Sequence, residues 1–233
     1  MKIIITGASK GIGKAIAEKF ATDGASLWVC ARNEKDLMVL SDQIAGVHPS
    51  STINYLVCDV AKKSEVLKFA AWVKKEAGGV DILVNNAGNF NPGEIKDEEE
   101  GVLETLIETN LYSAYYLTRA LLPLMISKKS GHIFNICSIA SLQAYNNGGS
   151  YSITKHALAG FSANLRHELR KDNIKVTSVF PGAVNTASWE GSGVAPERLM
   201  DADDIAAMIH AASKLSARAC VEEMVIRPQL GDI

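Results

Sequence analysis

Short, continuous apolar runs alternate along the chain with longer stretches in which apolar residues return every three to four positions. The runs are KIIIT (2–6), SLWVCA (26–31), INYLVCD (53–59), DILVN (81–85), HIFNICS (132–138), IKVTSVF (174–180) and EEMVIRP (222–228). Between them, helical periodicity occupies 11–22, 34–45, 64–77, 101–127, 151–171 and 203–213. A strand apolar at every position is covered on both faces, and such strands alternating with amphipathic helices form a parallel sheet between two helix layers. The pattern predicts an α/β protein: one doubly wound domain over residues 1–233, with seven parallel strands and helices on both faces. Sheets of this kind bind ligands at the carboxyl ends of their strands, beside the point where strand order reverses. Chemistry should therefore follow directly after the apolar runs.

Composition narrows the function classes. The 233 residues are 47% hydrophobic and 21% charged, with a formal net charge of −2 and no basic block. Nucleic acid and an anionic membrane surface are thus disfavoured as partners. Cys30, Cys58, Cys137 and Cys220 form no CxxC pair and read as reduced core thiols. The five histidines lack metal-ligand spacing, so no metal site is predicted. The opening MKIIITGASKGIG is too short for a signal peptide or a spanning helix and reads as a first strand. The expectation is a cytoplasmic protein.

After the first strand comes TGASKGIG, in which Gly7, Gly11 and Gly13 lead into a helix. Gly7 permits a tight exit from the strand. Gly11 and Gly13 let backbone approach a pyrophosphate, and the helix start offers free N–H groups to the anion. The spacing is GxxxGxG, not GxGxxG. An acidic residue about 20 positions on would accept from the ribose hydroxyls of NAD. Ala31 stands there, with Arg32 beside it and Lys10 in the glycine turn, a pair suited to a 2′-phosphate. The cofactor expected is NADP(H) ahead of NAD(H), with Glu34 or Asp36 as the alternative ribose contacts.

The turn resembles the TGxxxGxG motif of the short-chain dehydrogenase/reductase family. The resemblance continues through NNAG (85–88), Asn110 in IETNLYS, Ser138 in ICSIAS, Tyr151 and Lys155 in YSITK, and PGAVNT (181–186). Only about the last fifty residues lack a strong match. The resemblance implies a Rossmann sheet and a cofactor-contacting set of Gly7, Ser9, Lys10, Gly11, Ile12, Gly13, Arg32, Asp59, Val60, Asn86, Ala87, Gly88, Tyr151, Lys155, Pro181, Gly182, Val184 and Thr186. Within it, Asp59 and Val60 would flank the adenine, and Val184 and Thr186 would meet the nicotinamide carboxamide. Asn110 would hold a water that passes protons toward the lysine. The resemblance also implies a homodimer or homotetramer built on the helices around 101–127 and 151–171.

Carbonyl reduction needs a hydride at carbon and a proton at oxygen. Tyr151 and Lys155 fall on one face of a helix, where an ammonium can bring the phenol toward its working range. Ser138, at the end of the fifth strand, can donate to a substrate oxygen. Catalytic roles are therefore expected of Asn110, Ser138, Tyr151 and Lys155, acting on a small-molecule carbonyl or alcohol. Ser141 and Thr154 read as local capping and packing. The acidic run GEIKDEEEG (93–101) reads as a solvated helix start, and the unpatterned segment 187–200 as a lid or substrate wall. Two other functions stand against this one: a 3-oxoacyl-carrier-protein reductase, which the C-terminal VEEMVIRPQLGDI does not favour, and a non-catalytic NADP(H) sensor or scaffold.

Overall fold

The computed structural model describes residues 1–189 and 191–233. Seven strands, β1 (Lys2–Thr6), β2 (Ser26–Ala31), β3 (Thr52–Val57), β4 (Ile82–Asn85), β5 (Gly131–Ile136), β6 (Ile174–Pro181) and β7 (Glu223–Ile226), form a single sheet. Their order is β3-β2-β1-β4-β5-β6-β7, and every pairing is parallel. The sheet is Rossmann-like, and its order reverses between β1 and β4, which fixes the ligand crevice at their carboxyl ends.

The helices are α1 (Gly11–Ala21), α2 (Glu34–Val47), α3 (Lys63–Ala77), α4 (Val102–Ile107), α5 (Ser113–Lys128), α6 (Gly149–Leu169) and α7 (Ala202–Ser213). They divide between the two faces because side chains alternate along each strand. Ile3 and Ile5 of β1 pack with α1, α2 and α7, whereas Ile4 between them packs with α3, α5 and α6. Each fully buried Ile or Phe in these layers contributes roughly 1.5–3 kcal/mol. The inner strands are thus covered by helices on both faces, whereas the edge strands β3 and β7 stay partly exposed.

One predicted helix departs from expectation. The stretch 101–127 is not uniform: α4 ends at Ile107, Glu108–Tyr112 widen into a π turn, and α5 follows. Such widened turns occur often at functional sites, and this one carries Asn110, 1% exposed. α6 begins two residues earlier than the periodicity predicts, so Tyr151 lies in its first turn. The segment 187–200 contains short 3₁₀ turns at Ala187–Trp189 and Pro196–Arg198, and Val184 bridges to Met200. Glu190, within that predicted lid, lies outside the described residues.

Candidate active site

The glycine turn folds back onto the end of β2, with Gly7 N and Ala8 N donating to the Cys30 carbonyl at 2.8 and 3.2 Å. Gly7 has φ +66°, which an L side chain rarely adopts. A methyl group at Gly13 would stand 2.3 Å from the Gly7 carbonyl oxygen, so only glycine lets α1 start this close to β1. No side chain caps the N-terminus of α1, and its first turn holds no acid. Its leading N–H groups are therefore available to an anion. These features fit a pyrophosphate-bearing dinucleotide.

NNAG is zipped to this turn. Thr6 Oγ1 accepts from Asn86 N and Ala87 N at 3.1 and 3.0 Å, and Asn86 Nδ2 donates to the Thr6 and Gly7 carbonyls at 2.9 and 3.0 Å. The amide nitrogen of Asn86 thereby braces the glycine turn. Gly88 sits where β-carbon atoms would crowd the centre: a methyl there would lie 3.1 Å from Asn110 Oδ1 and 3.5 Å from Lys155 Nζ. Thr186 closes from the other side, its Cγ2 only 3.0 Å from the corresponding position on Gly11.

Lys10 and Arg32 are exposed, and neither forms an ion pair among the described residues. A cavity of about 260 Å³ between the turn and α2 is lined by Ser9, Lys10, Lys14 and Asp36. The Asp59 Oδ1 accepts from Ala61 N at 3.2 Å, shaping the approach to α3, while its own N–H donates to Glu65 at 2.7 Å.

Around Tyr151 the predicted groups converge. Ser138 follows β5 in an extended conformation (φ −166°, ψ 161°), and its hydroxyl accepts from Ala140 N at 3.1 Å. Ser141 Oγ accepts from Ser138 N at 3.2 Å, a reciprocal cap that fixes the Ser138 rotamer. The hydroxyl proton of Ser138 remains free for the Tyr151 phenol, whose ionised form it favours. Burial opposes that effect and prevails, pushing the Tyr151 phenol up to about 12. Lys155 is 5% exposed; its ammonium donates to the Ile136 carbonyl at 2.8 Å and stands 5.8 Å from the Tyr151 ring centre. Burial brings Lys155 down to about 8. Desolvation is thus the larger influence on the phenol here, with the Lys155 ammonium turned toward the Ile136 carbonyl.

The Asn110 side chain has partners distant in sequence. Its Oδ1 accepts from Asn89 N at 2.7 Å, and its Nδ2 donates to Asn89 O and Thr154 Oγ1, both at 3.0 Å. The side chain is a two-point clasp on the loop after β4, with both amide protons taken. Thr154, read from the sequence as packing only, is fully buried and links Asn110 to the Tyr151 carbonyl through its own 2.8 Å donation. Its position three residues after Tyr151, on the same face, was the available signal.

Two aromatic rings adjoin the phenol. Phe90 meets the Tyr151 ring edge-on at 4.9 Å and 84°. Tyr145 lies close enough that burial, then the Tyr151 charge, push its phenol up to about 12. A cavity of about 650 Å³ runs beside this site between Glu94–Lys96 and Ala144–Gly149; it includes Tyr145 but not Tyr151. The acidic run is corrected as well. α4 starts only at Val102, and Glu98 turns inward, its carboxylate accepting from Ser150 N at 2.8 Å and from the Ser150 hydroxyl.

A glycine turn at the sheet's switch point and a serine, tyrosine and lysine gathered across the crevice define a dinucleotide-dependent redox protein as a class. The short chain dehydrogenase family model matches residues 1–194, and the chain belongs to that family of oxidoreductases. An uncharacterized oxidoreductase of Staphylococcus aureus is 32% identical over 225 residues, 97% of this chain and 96% of the relative. An alcohol dehydrogenase from the archaeon Thermococcus sibiricus, solved with 5-hydroxy-NADP, superposes with a TM-score of 0.91 at 29% identity, covering 98% and 96% of the two chains. L-sorbose reductase from Gluconobacter frateurii, solved with NADPH and L-sorbose, gives 0.88 at 28% identity, covering 97% and 95%.

Proposed function

We propose that this protein is an NADP(H)-dependent reductase of ketones or aldehydes, reversible as an alcohol dehydrogenase, with Tyr151 as the general acid/base. The observation that carries the reading is the partly buried Tyr151 in the first turn of α6, with the Lys155 ammonium one helical turn on and 5.8 Å from its ring, beside Ser138 at the end of β5.

The cofactor would be held by the glycine turn and α1 N-terminus (Gly7, Ser9, Lys10, Gly11, Ile12, Gly13), by the backbone of Asn86, Ala87 and Gly88, and by Pro181, Gly182, Val184 and Thr186. Asp59 and Val60 would border its adenine. Bound there, it supplies a hydride in reduction and takes one up in oxidation. The protein manages the proton. With its phenol raised to about 12, Tyr151 is protonated at neutral pH and can donate to a carbonyl oxygen. Ser138 donates a hydrogen bond to the same oxygen, which orients the carbonyl and favours charge developing on it. The Lys155 ammonium stabilises the phenolate that proton donation leaves behind. Asn110 and Thr154 hold the surrounding backbone.

Preference for NADP(H) rests on Ala31 in place of an acid and on the exposed Lys10 and Arg32. Two of the similar solved structures carry NADP-type ligands, which supports the same choice. Asp36, lining the cavity with Lys10, favours the second reading, NAD(H). The proposal extends to a cytoplasmic homodimer or homotetramer in which residues 1–233 form one cofactor-binding and catalytic unit.

The test is an NADPH-oxidation screen over diketones, quinones, aldehydes and acyl thioesters, repeated with Tyr151→Phe. We expect the variant to bind NADPH as the parent does while turnover falls at least 10²-fold, in line with the usual worth of acid–base catalysis. Unchanged turnover removes Tyr151 from the mechanism. An Arg32→Asp exchange should shift preference toward NADH, read as the ratio of kcat/KM for the two cofactors.

A further inference from the structure

We propose that Glu98 is a positioning residue for Tyr151, a carboxylate that ties the loop following β4 to the first turn of the catalytic helix. The inference rests on the acid–base reading of Tyr151 given above.

α6 receives no capping bond from its own N-cap residue, Gly148. The bonds come instead from 52 residues upstream, where both Glu98 oxygens accept from Ser150, one from its backbone N–H and one from its hydroxyl. A carboxylate at this end of a helix faces orphan N–H groups and the positive end of the helix dipole, where charge-assisted bonds are strong. Tyr151 is the next residue. Gly149 adopts φ +36°, and a methyl on it would stand 2.3 Å from both Glu98 Oε1 and the Gly93 carbonyl oxygen. Glycine is thus the residue that admits the carboxylate. Gly93 N donates to the Asn147 carbonyl at 3.1 Å, a second stitch between the same two segments.

The other end of the loop is fastened to the site as well. Asn110 clasps the Asn89 backbone, and Phe90 packs its edge against the Tyr151 ring. Residues 89–98 therefore run from one catalytic-site anchor to another. Releasing the Glu98 end frees the first turn of α6 to rock, carrying the phenol with it. A displacement of about 1 Å at a reacting group can cost on the order of 10²-fold in rate.

The experiment uses Glu98→Ala, Glu98→Gln and Gly149→Ala in the full-length protein, with two readouts. Amide hydrogen exchange without cofactor should show Ser150 protected in the parent and exposed in Glu98→Ala. With NADPH and the best substrate of the screen, Glu98→Ala should lose about tenfold or more in kcat per folded molecule, with KM for NADPH little changed. Glu98→Gln, which keeps one acceptor for Ser150 N, should recover most of that loss. Gly149→Ala should reproduce the loss with Glu98 intact. A cap serving stability alone would lower Tm and leave kcat unchanged, and that result overturns the proposal, as does parental exchange in Glu98→Ala. Tyr151→Phe separates the two readings: if it retains full turnover the acid–base assignment fails, and if it is inactive while Glu98→Ala and Gly149→Ala turn over normally, only the clasp fails.

Discussion

Tyr151 and Lys155 show how residue identity and residue environment divide the work. Their spacing was legible because a helix stacks positions i and i+4; their proton affinities were not. Burial sets both, raising the phenol to about 12 and lowering the ammonium to about 8. A phenol protonated across the neutral range is in the form that carbonyl reduction needs. Reductive kcat should therefore be flat near neutrality and decline above about pH 8, as Lys155 loses the charge that stabilises the departing proton's phenolate. Alcohol oxidation, which needs that phenolate at the start, should rise with pH. A pH–rate profile in both directions checks this, and a reductive rate still climbing through about pH 9 contradicts it. Ser141 and Glu98 make the complementary point. Ser141, read from the sequence as local capping and packing, caps its own turn, whereas Glu98, read as part of a solvated helix start, caps a helix 52 residues away. Nothing local to Glu98 announces that partner.

At the scale of elements, strands and helices follow the apolar periodicity closely because both faces of the sheet must be covered. The exceptions are set by partners distant in sequence. The π turn at Glu108–Tyr112 puts Asn110 against Asn89 and Thr154, bonds that no single-helix reading contains. β5 contains a second such case. His132 Nε2 meets Thr177 Oγ1 of β6 at 2.7 Å, Thr177 donates onward to the Val221 carbonyl, and His132 Nδ1 is buried without a partner among the described residues. Burial, then the Lys175 charge, lower His132 from 6.5 to about 3. Between those values the unfolded chain binds a proton that the folded chain refuses. Stability attributable to this residue is therefore intact above about pH 6.5 and is lost progressively as pH falls toward 3, by on the order of 4–5 kcal/mol in total. His132→Gln should flatten the acid side of a Tm-versus-pH curve, measured by thermal unfolding; an unchanged slope assigns the acid sensitivity to carboxylates instead.

For the whole molecule, the outer face of α5 and α6 exposes Tyr115, Ile126 and Ile153. If copies of the chain associate there, as the family resemblance implies, light scattering should give at least a dimer, and Tyr115→Glu with Ile126→Glu should shift it toward monomer. A parental protein that is already monomeric rejects the assembly. No helix among the described residues is long and apolar enough to cross a membrane. What the sequence determined by itself was the alternation of buried strands and amphipathic helices, and the small set of glycines and polar residues at strand ends, since periodicity and steric allowance are local properties of the chain. The tertiary structure alone decided that Asn86 braces the glycine turn, that the Asn110 side chain grips the loop after β4, that Glu98 caps the catalytic helix, and that burial raises the phenol. Each of these depends on which distant backbone groups are brought within about 3 Å and on how completely water is excluded, and neither quantity is encoded in any short window of residues.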